Sequence, residues 1–270
     1  MNESPFEWDL ASNDYLQQIG PRLTRDYAGD LIERMNLSPE CSVLEVAAGT
    51  GELTIEMAVR AKTILATDIS DEMLGALQGR LQKRRINNVL TSKMSGELLD
   101  CASSSFDRAV CMFGIMLFEA PIKGLQELRR VLRPTGRAVI SVWSTPDHFE
   151  MMQLFASAVA GLCPDQKPLD LTKNPAFTLS DSAKLKRLMK EAGFSNICID
   201  TVSHLKNFAS VDELWSILIS ATPPLFWFLE GIGIEHHNEL KRRLHDQCLS
   251  KFVRFPLQLS SEALIISADP

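Results

Sequence analysis

The stretch VLEVAAGTGELT, residues 43–54, decides how the rest of the chain is read. A mostly apolar run suited to a buried strand (42–47) gives way to small residues, with Gly49 and Gly51 just before a segment of helical spacing (51–61). A strand, a glycine turn and a helix start make a crevice at the carboxyl end of a parallel sheet. Exposed N–H groups at such a helix start favour an anion, and glycines let a ligand approach without a Cβ in the way.

Working outward, the alternation continues. TILATD (63–68) is a second strand, and SDEMLGALQGRLQKRR (70–85) is a helix capped by Ser70 or Asp71. NVLTSKM (88–94) and FDRAVCMFG (106–114) supply strands three and four. A helix from Ile122 is stopped by Pro134, and GRAVISVW (136–143) is strand five. This rhythm predicts right-handed crossovers and a parallel sheet covered on both faces. Beyond Trp143 come an apolar helix (148–162), a helix (180–193), a strand (196–208), a charged helix (235–252) and a last strand (257–268). Residues 1–36 read as an N-terminal helical extension or lid, and 37–270 as the main domain, with helical insertions near 145–178 and 208–254. The greasy stretch 214–233 contains Pro223, Pro224 and Glu230, so two buried helices fit it better than a membrane span of about 20 apolar residues.

Composition narrows the function classes. The 270 residues are 45% hydrophobic with a formal net charge of −6, which supplies no general field for nucleic acid. Six scattered cysteines lack a C-x-x-C pair or a histidine at metal spacing, which points to a reduced, cytoplasmic chain with no metal. The amino terminus is acidic and has no apolar leader run, so no secretory signal is expected. The expected partner is a small molecule, with no nucleic acid and no stable membrane insertion, and the chain is expected to be a monomer or homodimer.

Three ligands compete for the glycine turn. A phosphate-cradling loop needs a Lys after the second glycine, and Glu52 stands there. In a dinucleotide fingerprint counted from Gly49, Thr54 occupies the place of the third small residue, which disfavours a nicotinamide cofactor. The third ligand has an adenosine, an amino-acid carboxylate and an ammonium. Glu45, at the end of strand one, suits the ammonium, and Asp68, closing strand two, can accept both ribose hydroxyls. S-adenosyl-L-methionine meets these demands.

VLEVAAGTGELT, ATDISDEML (66–74), FDRAVCMFGIMLF (106–118) and ELRRVLRPTGRAVISVW (127–143) together resemble the ordered motifs of class I S-adenosylmethionine-dependent methyltransferases, in particular the ubiquinone/menaquinone C-methyltransferase-like group. The resemblance covers 40–144 strongly and 179–268 weakly. It implies a Rossmann-like, mostly parallel seven-stranded α/β sheet ordered 3-2-1-4-5-7-6, with helices on both faces and a helical lid. It also implies that Glu45, Ala47, Gly49, Thr50 and Gly51 surround the methionine part, that Asp68 holds the ribose, and that Ile69 and Met73 flank the adenine. Ser95, Gly96 and Glu97 correspond to the family's segment after strand three, with Ser95 in place of its usual acid. Cys111 faces the cofactor through its carbonyl, with Phe113 close by. Ala47 and Ala48 stand where many relatives have Gly-Cys or Gly-Ser.

The activity expected is in-line methyl transfer to an oxygen, nitrogen or carbon of an apolar or aromatic acceptor. Met116-Leu117 replaces the His-His that many relatives carry after strand four, so the base, if one is used, is not evident; His148, Tyr15 and Asp147 are candidates. The missing pair leaves a cofactor-binding but catalytically silent protein as an alternative, and an NAD(P)-dependent oxidoreductase as a lesser one. Trp8, Tyr15, Phe149, Phe155, Trp215, Phe226, Trp227 and Phe228 come from the extension and insertions, where they pack the added helices and wall a substrate pocket.

Overall fold

The apolar runs pair as one sheet of seven strands: β1 (Ser42–Val46), β2 (Thr63–Asp68), β3 (Val89–Lys93), β4 (Phe106–Met112), β5 (Leu132–Trp143), β6 (Ser195–Phe208) and β7 (Leu257–Asp269). Their order in the computed structural model is β3-β2-β1-β4-β5-β7-β6. The structure describes residues 15–162, 169–221, 234–252 and 256–270, without the side chains of residues 15–18, 220–221 and 234–235. The first five strands are parallel, and β7 runs antiparallel between β5 and β6. Eight α-helices are described on the two faces: α1 (Ala28–Met35), α2 (Glu52–Met57), α3 (Asp71–Arg84), α4 (Pro121–Val131), α5 (Glu150–Leu162), α6 (Ser182–Glu191), α7 (Val211–Ala221) and α8 (Ile234–Lys251). A π-helical segment, Tyr15–Thr24, precedes α1. Pro223, Pro224, Phe226, Trp227, Phe228, Trp8 and Cys163 lie outside the described residues.

Local chemistry explains the boundaries. Ser70 caps α3 by accepting the Met73 N–H at 3.0 Å, and Asp181 caps α6 through Ala183 and Lys184. The helix after the glycine turn ends at Met57 rather than 61. The Asn88 amide donates to the carbonyls of Ala58 (2.8 Å) and Ala61 (3.0 Å), satisfying groups that a longer helix would have bonded internally. Pro134 does not mark the gap before β5 but lies inside it: the register slips between Phe106 and Arg108, and this irregularity accommodates a residue with no N–H.

The β6–β7 hairpin overruns the sheet. β5 ends where Trp143 pairs with Ala263, but Ser203–Phe208 and Leu257–Glu262 continue past that point and raise a wall at the strands' carboxyl ends. The N-terminal segment is fastened to β6 by polar side chains at helical spacing against polar side chains on one face of the strand. Asp26 meets Lys206, Asp30 meets His204 and Arg34 meets Asp200, each at 2.8 Å. Lys206 is buried under the ring of Tyr27, 4.7 Å from its centroid, and the Tyr27 hydroxyl donates to the Ser261 carbonyl at 2.8 Å. Among the described residues no helix is long and apolar enough to cross a membrane.

Candidate active site

The glycine turn is built by backbone conformations that few residues adopt. Ala47 (φ 55°), Gly49 (φ 53°) and Gly51 (φ 86°) are all left-handed. Ala47 adopts this conformation despite carrying a Cβ, at a cost of roughly 1–2 kcal/mol. Gly114 makes room for it, since a Cβ there would stand 2.4 Å from the Ala47 Cβ. The turn is pinned to β2 by the Ala48 N–H donating to Thr67 O at 2.9 Å and the Gly49 N–H donating to Asp68 Oδ2 at 2.8 Å. A Cβ on Gly51 would lie 2.2 Å from Leu77 Cδ1, so its bareness admits α3 against the turn.

Three carboxylates surround this turn. Glu45 is fully buried at the end of β1, with the Thr54 hydroxyl of α2 donating to its Oε2 at 2.6 Å. Burial pushes its pKa up to about 8; the Thr54 bond opposes this, and the neighbouring Asp68 charge adds to it. Asp68 accepts from Ser70 N–H at 3.0 Å as well as from Gly49. Glu52, also buried, is paired with Arg80, whose guanidinium donates to the Thr50 carbonyl at 2.7 Å and so clamps the turn from α3. Sequence reading missed this pair, because Glu52 and Arg80 are related only by the packing of α2 and α3. Thr50 Oγ1 is buried and has no hydrogen-bond partner among the described residues. Such an orphan is costly unless a ligand satisfies it, and it lies in the turn expected to take the cofactor carboxylate. The donor set thus fits S-adenosylmethionine.

Ile69, at the end of β2, is 55% exposed, an apolar surface suited to an adenine ring, whereas Met73 is buried in α3. Ser95 is exposed, its Oγ accepting the Glu97 N–H at 3.2 Å. Gly96 is bare because Phe118 and Val46 crowd it: a Cβ would meet them at 2.4 and 2.6 Å. Glu97 turns its Oε1 to the Ala120 N–H, 2.5 Å away, and so caps the start of α4. These two side-chain positions serve packing and capping.

Cys111 is fully buried, and burial pushes its thiol up to about 12, which removes it as a nucleophile. Phe113 is left-handed (φ 56°) and its ring is stacked on Trp143 with centroids 4.0 Å apart. Tyr27 meets both rings edge-on, and Phe149 continues the row from Trp143 to Phe177. Tyr27, Trp143 and Phe177, which the sequence does not single out, thus form an aromatic wall at the carboxyl ends of β4 and β5. Of the candidate bases, Asp147 is exposed and the Tyr15 side chain lies outside the described residues. His148 Nδ1 lies 2.8 Å from Glu262 Oε1, a partner on β7 that no local motif announces. Among the described residues no three His, Cys, Asp or Glu side chains are grouped to hold a metal.

A sheet in this order, with a left-handed turn after β1 and an acid closing β2, defines a doubly wound α/β protein with a crevice at its strands' carboxyl ends. Residues 43–136 match the methyltransferase domain family. The demethylmenaquinone methyltransferase of Bacteroides fragilis is 31% identical over 170 residues, covering 57% of this chain and 68% of that protein. The ubiquinone/menaquinone biosynthesis C-methyltransferase of Geotalea uraniireducens is 27% identical over 172 residues, covering 57% and 71%. Among solved structures, the YcgJ protein from Bacillus subtilis shares the fold with a TM-score of 0.62 at 16% identity, over 90% of this chain and 97% of that one. The chain belongs to the class I S-adenosylmethionine-dependent methyltransferases and is an enzyme that transfers methyl groups to a small molecule. The silent and nicotinamide-dependent alternatives are not favoured by these relatives.

Proposed function

We propose that this enzyme binds S-adenosylmethionine in the turn after β1 and methylates an aromatic ring of the demethylated quinone class, in its reduced form. The observation that carries the cofactor reading is the left-handed turn of Ala47, Gly49 and Gly51 flanked by two buried acids, Glu45 and Asp68. Glu45 would meet the ammonium, and the Thr50 hydroxyl and turn N–H groups the carboxylate. Asp68 would hold the ribose hydroxyls, with Ile69 and Met73 beside the adenine and the Ser95–Glu97 backbone at its edge. The backbone at Cys111 and Phe113 would border the methionine chain. Bound there, the cofactor supplies a methyl group on positively charged sulfur. The protein's own part is to align the acceptor about 3 Å from that carbon and keep water out. The row from Tyr27 to Phe177 supports an apolar, flat acceptor, as do the names of the relatives. The free cysteines among the described residues support a cytoplasmic setting.

Asp68→Ala is expected to weaken S-adenosylmethionine binding by about 1–3 kcal/mol, the scale of a lost charged hydrogen-bond partner. Titration calorimetry measures this, and unchanged affinity would remove Asp68 from the site. Mass spectrometry of reduced 1,4-naphthoquinone incubated with enzyme and cofactor tests the acceptor; no methylated product rejects that class.

A further inference from the structure

His148 and Glu262 belong to parts of the chain that only the fold brings together: the short turn Pro146–His148 after β5, and the β7 overrun. The Glu262 carboxylate is anchored from several directions. Ser144 Oγ donates to Oε1 at 2.7 Å, Ser203 Oγ donates to Oε2 at 3.3 Å, and the Ser144 N–H donates to the Glu262 carbonyl at 3.0 Å. Burial works against its ionisation, but the Ser144, His148 and Ser203 donors outweigh it and hold Glu262 below the ordinary carboxylate range. The imidazole turn is equally fixed, by His148 N–H to Thr145 O at 2.9 Å and by the Gln153 amide to Pro146 O at 2.8 Å.

In a neutral imidazole, a carboxylate facing Nδ1 favours the proton on that nitrogen and the lone pair on Nε2. The His148 side chain is 57% exposed, and the next residue, Phe149, packs into the aromatic wall 4.9 Å from Trp143. A lone exposed ion pair is worth little and needs no orientation. Here two serines, from the end of β5 and from β6, converge on one carboxylate that faces one ring nitrogen. That arrangement orients a base.

We infer that His148 accepts the proton lost by the methyl acceptor, with Glu262 as the positioning residue that fixes its tautomer. The inference rests on the methyl-transfer activity established above. The acceptor gains the methyl carbon and gives one proton to Nε2. The electron pair of the broken carbon–sulfur bond stays on sulfur, so one positive charge passes from sulfur to the imidazole, where Glu262 faces it. The proton then leaves to water, and the ring is restored.

The test uses the full chain with S-adenosylmethionine and reduced 1,4-naphthoquinone, in the wild type, His148→Ala and Glu262→Gln. In the wild type, nitrogen NMR of histidine-labelled protein at alkaline pH should show His148 protonated at Nδ1 and bare at Nε2; Glu262→Gln should abolish that preference. His148→Ala should keep its cofactor affinity by calorimetry and lose on the order of 10²–10⁴-fold in kcat. Added imidazole should restore part of the loss, which it would not do for a merely structural residue. A wild-type ring protonated at Nε2, or a His148→Ala enzyme with unchanged kcat or no response to imidazole, would overturn the inference. If the wild type binds cofactor but does not methylate this quinol, the quinone reading fails, and the nitrogen shifts alone decide the dyad.

Discussion

Gly51→Val is expected to destabilise the protein by roughly 2–5 kcal/mol, combining left-handed backbone strain with overpacking of a closed core. Gly51 sits at φ 86°, where a β-branched residue is strongly disfavoured, and its missing Cβ position is 2.2 Å from Leu77 Cδ1. Leu77 is fully buried, so displacing its side chain disturbs the packing of α3 against the turn. Because α3 begins at the turn that Asp68 and Ser70 organise, the same displacement would disturb the acid proposed to hold the ribose. Urea unfolding should show a lower midpoint with an unchanged slope. A variant as stable as the wild type would mean that α3 does not press on the turn.

Glu45→Gln is expected to flatten the pH dependence of stability between about pH 4.5 and 8. The folded-state pKa of Glu45 is raised by burial from 4.5 to about 8, so across this window the folded protein holds a proton that the unfolded chain releases. Stability from this group is therefore fully present below pH 4.5 and is lost as pH rises, at up to about 1.4 kcal/mol per pH unit. Asp107, Glu127, Glu150 and Glu262 have lowered values and act below this window, in the opposite sense. Subtracting the variant's urea-unfolding profile from the wild type's isolates Glu45. The proposed site adds a second readout. An ammonium beside Glu45 favours its charged form, so cofactor binding near pH 7 should release close to one proton, detected by calorimetry in buffers of different ionisation enthalpy. Parallel stability profiles for the two proteins would place Glu45 in water rather than in the core.

Much of the fold was legible because the signals are local. The apolar runs at 42–47, 63–68 and 106–114 and the Ser70 cap define β1, β2, β4 and α3 within a few residues. The short α2 was not legible, since its end is set by Asn88, a residue far along the chain. Nor was the start of β5, where a proline signals a break but a register slip absorbs it. At the site, the pattern identified which residues gather but not what each does. Gly51 read as room for a ligand, and its missing Cβ also makes room for Leu77. Glu97 read as part of the cofactor segment, and its carboxylate also bonds the Ala120 N–H.

By itself the sequence determined the strand–helix order, the glycine turn at Gly49–Gly51 and the two acids near the ends of β1 and β2, because each is a matter of neighbours in the chain. The tertiary structure alone decided that Glu45 is buried enough to hold a proton, that Arg80 clamps Glu52, and that Glu262 meets His148. Burial and long-range pairing arise only when distant segments exclude water together, and no local pattern records which segments will meet.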